Sequence, residues 1–364
     1  MSNSAKVLFV CVFLLVGIGI VMTYSSSAVY AQYRYSNPEY FLFRQFVYAL
    51  MGTLLMFVTA SIPINFWKNN SRAMVMMAIG FLILVYMPVI GHSGGGAQRW
   101  INLGLLHFQP AEFAKVAVCI YLSDYLSRKM KQIKKGGILV YLPPLVLIGL
   151  ICCLTLLQPD LGSTAFICLL VAALFFLSGL QMKYVGIAAA VMLPALYFLV
   201  IRVPYRASRV TAYLNPWNDP QGSGFQIIQS LLAFGIGGVK GEGLGQGIQK
   251  LFYLPSSYND FIFSVIGEEL GLIGLLFVQF LYAVIFICGL QMSRRLKGEF
   301  EKFLVLALTL MIVLQALIHM MVTTGLIPTK GLPLPFISFG GTSILFSMMA
   351  VGLLMACDRK ARNS

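Results

Sequence analysis

Ten apolar stretches, each about as long as the helix that crosses a bilayer core, account for most of this 364-residue chain. They fall near 7–31, 41–61, 73–90, 111–127, 138–157, 161–180, 184–201, 262–291, 303–323 and 342–357. In hydrocarbon a run of this kind must satisfy its own backbone hydrogen bonds, so each is expected as a membrane-spanning helix. The expectation is an all-α polytopic membrane protein, one integral membrane domain over 1–364, with about ten transmembrane helices and a long extracytoplasmic loop, about 202–261, between spans 7 and 8. Composition agrees, since 59% of residues are hydrophobic and 10% charged, where soluble domains carry about a quarter charged. The stretch around Gln158-Pro159-Asp160 reads either as the joint of two spans or as one broken segment.

Ten spans put both termini on one side. With cytoplasmic termini, the short inner loops hold Lys6, Lys68, Arg72, Arg128, Lys129, Lys131, Lys134, Lys135, Lys183, Arg294, Arg295, Lys297, Lys302, Arg359, Lys360 and Arg362, sixteen of the 26 Lys and Arg residues. That density favours this orientation. The net charge of +14 is therefore topological, and no nucleic-acid partner is expected. Lys6 precedes the first span and no small-residue cleavage site follows it, so it is read as a retained span. Of the 7 cysteines, Cys11, Cys119, Cys152, Cys153, Cys168 and Cys288 fall in spans and Cys357 at the inner end of the last. Neither a disulfide framework nor a metal set is expected.

Three outer segments stand out. The first is Gly91–Pro110, GHSGGGAQRWINLGLLHFQP. The second, Arg202–Asp260, contains GFQIIQSLLAF, with Gln226, Gln229 and Ser230 at helical spacing opposite Ile227, Ile228, Leu231 and Leu232, the pattern of an amphipathic helix at the membrane surface. A run of glycines at 235, 237, 238, 241, 243, 245 and 247 follows. No strand precedes GEGLGQG, so a nucleotide loop is rejected. A bend packed on other helices is favoured over pyrophosphate binding. The third, Thr324–Thr342, carries three prolines within nine residues and a Gly-Gly pair, and is expected as a re-entrant hairpin or a rigid cavity wall.

Only 12 carboxylates occur, so they can be sorted. Glu299, Glu301 and Asp358 belong to the inner face, Asp124 to the inner end of its span, and Glu39 to a short outer loop. Glu112, Asp160, Asp219, Glu242, Asp260, Glu268 and Glu269 remain. Asp260, where a polar stretch turns into an apolar helix, reads equally as a general base at the membrane surface or as a helix cap. On a continuous helix Glu268 lies about 12 Å further on and about 80° around from it, so a paired dyad is not expected. Glu268 and Glu269 are read as acids that fix neighbouring helices. Glu112 and Lys115 share a helical face and neutralise each other; with Arg99 they could also line a cavity for an anionic headgroup. Asp160 is read as a cap, and His92, His107 and His319 as structural.

Four segments, AQRWINLGLLHFQPAEFAK at 97–115, QPDLGS at 158–163, GSGFQIIQSLLAFGIGGVKGEGLGQGIQKLFYLPSSYNDFIFSVIGEELG at 222–271 and TGLIPTKGLPLPFISFGGTS at 324–343, resemble in order and spacing those of the SEDS family (shape, elongation, division and sporulation). Pro-Thr-Lys-Gly at 328–331 and Asp-Pro at 219–220 are similar to its division and sporulation branch. The family often carries His and Thr where this chain has Tyr258 and Asn259. The resemblance implies peptidoglycan glycosyltransferase activity on lipid II, an undecaprenyl diphosphate-linked substrate, in the bacterial cytoplasmic (inner) membrane at the division septum. It places Asp260 as catalytic and Arg99, Glu112 and Lys115 in the substrate cavity. Gln226, Gln229, Lys250 and Lys330, polar residues of the outer segments, are taken as further substrate-binding candidates. The implied partners are a class B penicillin-binding protein transpeptidase, other divisome proteins and membrane lipids. Arg99, Lys115, Arg202, Arg206, Arg209, Lys240, Lys250 and Lys330 are the outward cations available to stabilise a leaving diphosphate; a divalent cation (Mg or Mn) could share that task. The rival readings are a lipid II flippase and a non-catalytic divisome scaffold.

Overall fold

The computed structural model describes residues 1–87, 91–94, 97–102, 107–135, 138–181, 184, 186, 190, 197, 204–329 and 331–363. Lys330, Arg202, Lys183 and most of the expected seventh span therefore lie outside the described residues, as does the side chain of Arg206. The helices are α1 (Asn3–Tyr35), α2 (Tyr40–Ser61), α3 (Ile64–Asn69), α4 (Ser71–Leu84), α5 (Pro110–Lys134), α6 (Leu142–Leu157), α7 (Leu161–Leu177), α8 (Pro204–Leu214), α9 (Phe225–Gly237), α10 (Ile262–Arg295), α11 (Glu299–Thr323) and α12 (Gly341–Asn363). Among the described residues, six helical segments are long and apolar enough to cross a membrane: α1, α2, Ile138–Leu157, α10, α11 and α12 up to Arg362. Helices α4, α7 and α9 are shorter apolar elements. The fold is thus a polytopic helical bundle, as expected.

Helix α5 is the axle of the bundle. Every residue from Pro110 to Asp124 is buried, and the helix packs on α4, α11, α12, α6 and α7. Helices α11 and α12 are mostly buried as well, whereas α1, α2, α6 and α10 turn leucines, valines and phenylalanines outward, as in Leu54, Phe57, Val146, Ile273 and Phe280. In water such a surface would aggregate; against lipid tails it is the solvated face.

Both termini meet at one end of the bundle, where the Ser2 amide donates to Asp358 at 2.8 Å. Lys360 pairs with Glu301, and Arg128 with Asp124 at 2.7 Å, at the same end. At the other end lies a feature absent from the all-α expectation, a small antiparallel sheet in the order β1 (Gly91–Gly94), β2 (Ala97–Asn102), β3 (His107–Phe108). Gln98 ties β2 to the end of α4, donating to the Val85 carbonyl at 2.9 Å. The joint at Gln158-Pro159-Asp160 separates two helices, and Asp160 caps the second by accepting from the Ser163 amide at 3.0 Å.

Helix α10 is broken at Gly271 (φ 64°, ψ −166°). The break orphans the Glu268 and Glu269 carbonyls and the Leu272 and Ile273 amides, which an unbroken helix would pair with each other. The glycine run replaces all four. Glu242 and Gly243 amides donate to Glu268 and Glu269 carbonyls, each at 3.0 Å, while Gly238 and Val239 carbonyls accept from Leu272 (2.9 Å) and Ile273 (3.3 Å). Close backbone approach demands glycine here: a Cβ on Gly241 would lie 2.2 Å from the Glu269 carbonyl oxygen. This splice bears out the packed bend. Helix α9 beside it corrects the amphipathic expectation, for it buries Ile227, Ile228 and Ser230 and exposes Leu231, Leu232 and Ile236. Ser230 is spent on Ser264 and the Thr323 carbonyl, both at 2.6 Å.

Candidate active site

Asp260 does not cap α10. The helix begins after Phe261 with no side-chain cap bond, and the Asn259 and Asp260 amides turn back onto the Ser256 carbonyl at 3.0 and 3.1 Å. The carboxyl group is left facing the 326–340 segment: a Cβ built on Gly331 would sit 3.8 Å from Asp260 Oδ2. Desolvation raises its pKa from 3.8 to about 6, against the opposing pull of the Arg209 and Arg99 guanidiniums. A half-buried carboxylate in the field of two arginines, ionised at neutral pH but basic enough to take a proton, has the properties of a general base.

Each arginine is aimed by backbone. Arg99, on β2, donates to the carbonyls of Gln158 (3.1 Å) and Pro159 at the α6–α7 joint. Arg209, on α8, donates to the Thr329 carbonyl at 3.2 Å, and Tyr213 on the same helix donates to Leu326 at 3.0 Å. The chain leading into Asp260 is held by an aromatic wedge in which Tyr258 packs on Phe41 (4.7 Å between centroids) and Phe339 (6.0 Å). The Phe339 amide also donates to the Tyr258 carbonyl at 3.0 Å. Tyr258, which departs from the histidine often found there in the family the sequence resembles, is thus a packing residue.

Behind Asp260 stands a wall of irregular chain, described over 327–329 and 331–340, with Leu332, Leu334, Phe336 and Ile337 buried. Prolines supply no amide hydrogen, so the segment leans on side chains from the bundle. Gln315 donates to the Pro333 carbonyl at 2.9 Å, His319 Nδ1 meets the Leu332 carbonyl at 2.8 Å, and Tyr282 donates to the Pro335 carbonyl. Ser338 donates to the Asn259 carbonyl at 2.8 Å.

Glu112 and Lys115 form the expected pair at 2.7 Å, but deeper than a cavity lining requires: Lys115 is 1% exposed and Glu112 4%. Lys115 also donates to Gln315 Oε1 at 2.6 Å and lies over the Phe166 ring at 5.2 Å. Lys250 stands apart from this group. It is buried in an ion pair with Glu269 at 2.7 Å and donates to Ser25 at 3.1 Å. The Gly245 amide donates to Glu269 at 3.0 Å, and Ile248 and Gln249 amides to Glu268. These two acids hold the spliced loop against α1 and α10, the helix-fixing role read from the sequence. Gln226 and Gln229 are half-buried on α9. Lys330, next to Gly331, falls outside the described residues. Sequence reasoning missed Gln315 and took His319 only as structural; single polar residues in an apolar helix give no motif, and only the fold aims them at one segment.

The family model described as cell cycle protein, covering FtsW, RodA and SpoVE, matches residues 5–363. The chain is 41% identical over 348 residues to a probable peptidoglycan glycosyltransferase FtsW of Geobacter sulfurreducens, covering 95% of this chain and 92% of that protein. It is 37% identical over 364 residues to stage V sporulation protein E of Bacillus subtilis, covering 99% and 98%. Among solved structures it superposes on a chain from a peptidoglycan synthase complex, studied for its coordination of polymerization and crosslinking, with TM-score 0.79 and 26% identity, covering 98% of each chain. Thermus thermophilus RodA shares the fold, with TM-score 0.71 at 23% identity over 97% of this chain and 96% of that one. A match across almost the entire chain, to the family that four sequence segments resemble, leaves one assignment: this chain belongs to the FtsW, RodA and SpoVE family of cell cycle proteins.

Proposed function

We propose that this protein is a peptidoglycan glycosyltransferase that polymerises lipid II into glycan strands at the outer face of the cytoplasmic membrane, in division or sporulation. The observation that carries the reading is Asp260, a carboxylate raised to about 6 by desolvation and flanked by Arg209 and Arg99. Asp260 takes the proton from the 4-hydroxyl of the acceptor sugar as that oxygen attacks the anomeric carbon of the lipid-linked donor. The bond to undecaprenyl diphosphate breaks and the configuration inverts. The two guanidiniums supply paired donors for the departing diphosphate, so no second acid is required. Among the described residues no three metal-binding side chains gather, and the reaction as proposed draws on Asp260 and the two arginines.

The orientation follows from charge: the end where Ser2 meets Asp358 carries the basic loops and is cytoplasmic, which sets Asp260 on the outside. A class B penicillin-binding protein is the expected transpeptidase partner, as polymerization and crosslinking are coupled in the complex this chain superposes on. Placement at the septum is part of the same proposal.

The test is fluorescent lipid II added to the purified chain in nanodiscs, with and without the cognate transpeptidase, and glycan length read by gel. A ladder of strands is expected. Movement of lipid II between leaflets of sealed vesicles with no strand formed would instead favour the flippase.

A further inference from the structure

We propose that His319 and Gln315 are positioning residues for the transfer reaction, acting as a two-point clamp on the wall against which Asp260 is set. The proposal rests on the reading of Asp260 as general base. The two side chains stand one turn apart on α11 and therefore on one face. They reach consecutive carbonyls, Leu332 at 2.8 Å and Pro333 at 2.9 Å. Gly331, directly before Leu332, is the residue whose Cβ would touch the Asp260 carboxylate at 3.8 Å. Pro328, Pro333 and Pro335 supply no amide hydrogen to the segment; its internal amide bonds gather at the far end, where Ile337 and Ser338 donate to the Leu334 carbonyl at 3.2 and 2.9 Å, and the Leu332 and Pro333 carbonyls beside Gly331 are held by α11.

The clamp has a defined polarity. Lys115 donates to Gln315 Oε1 at 2.6 Å, which fixes the amide so that Nε2 faces the Pro333 carbonyl. Glu112, paired with Lys115 at 2.7 Å, holds the lysine in place. The buried Glu112–Lys115 pair thereby acts on the reaction through Gln315, with no need to touch substrate. On His319 the carbonyl partner selects the tautomer with hydrogen on Nδ1, and Nε2 is left buried with no partner among the described residues. Only the Nδ1 side of the ring performs the task.

That asymmetry supplies the test. An asparagine amide nitrogen falls near the place of Nδ1 and a glutamine amide nitrogen near that of Nε2, so His319→Asn preserves the clamp while His319→Gln and His319→Leu release it. The measurement is kcat and KM for lipid II between pH 5 and 8 on the full chain in nanodiscs, after melting temperatures confirm folding. His319→Asn is expected within threefold of wild type. His319→Gln and His319→Leu are expected to lose tenfold or more in kcat with KM nearly unchanged. Their acidic limb should also shift to lower pH, because a loosened wall admits water to Asp260 while Arg99 and Arg209 stay beside it. Gln315→Met, which leaves His319 intact, should show the same kcat loss and the same shift. Full kcat in His319→Leu, or rescue by glutamine in place of asparagine, would overturn the clamp. Asp260→Asn is run alongside: an inactive Asp260→Asn with an active His319→Leu sinks the clamp alone, whereas an active Asp260→Asn removes the base on which the clamp depends.

Discussion

At the scale of the residue, Asp260 is governed by two opposed effects of similar origin. Removal from water penalises its charge, and the arginines favour it; the first wins, and the pKa rises from 3.8 to about 6. Because a base works only when ionised, the sign of the pH dependence follows. Polymerisation should be level from about pH 7 upward, half-maximal near pH 6, and fall about tenfold per unit below that. Initial rates between pH 4 and 8 check this, and an acidic limb near pH 4 would mean a solvated carboxylate. The sequence left Asp260 equally a cap or a base, since both need an acid at the start of an apolar helix. The structure separates them by showing the α10 start without a side-chain cap.

At the scale of the element, the broken α10 and its glycine run form one unit, sharing four backbone hydrogen bonds across the break. Gly241 (φ 77°) sits where any Cβ would strike backbone of Glu269 and Gly271. Left-handed strain of roughly 1–2 kcal/mol and forced displacement of about 1–3 kcal/mol add up, so Gly241→Ala should destabilise the protein by about 2–5 kcal/mol. Gly235→Ala, within α9 and with open space around it, should leave stability unchanged or raise it by up to about 1 kcal/mol. Melting in detergent distinguishes the two. The spans were legible because twenty apolar residues in a row admit few fates. The splice was not, because it joins segments some thirty positions apart and Gly271 looks, in sequence, like any glycine of a membrane helix. The commitment of Lys250 to an ion pair was hidden for the same reason: its partner Glu269 is distant in sequence until the loop folds back. Glu112 and Lys115 were legible as a pair from their spacing, but their link to Gln315, 200 positions from Lys115, is a product of the fold.

At the scale of the whole molecule, the fold divides the charges between two ends. The terminal end gathers Asp358, Glu301, Lys360, Asp124 and Arg128, and the site end holds Arg99, Arg209 and Asp260. The account predicts that a reporter active only in the cytoplasm works when fused after Ser364, and that one active only outside works when inserted at Gln221 in the exposed Asp219–Ser223 turn. The reverse pattern would invert the molecule and put Asp260 on the wrong side for a lipid-linked sugar presented outside. The central claim is narrower than topology and rests on one carboxylate. Its most direct test is strand synthesis from lipid II by purified Asp260→Asn at matched folding and matched transpeptidase binding. A loss of about 100-fold or more in rate, in keeping with removal of a general base, is the predicted result; strands made at the wild-type rate would contradict it.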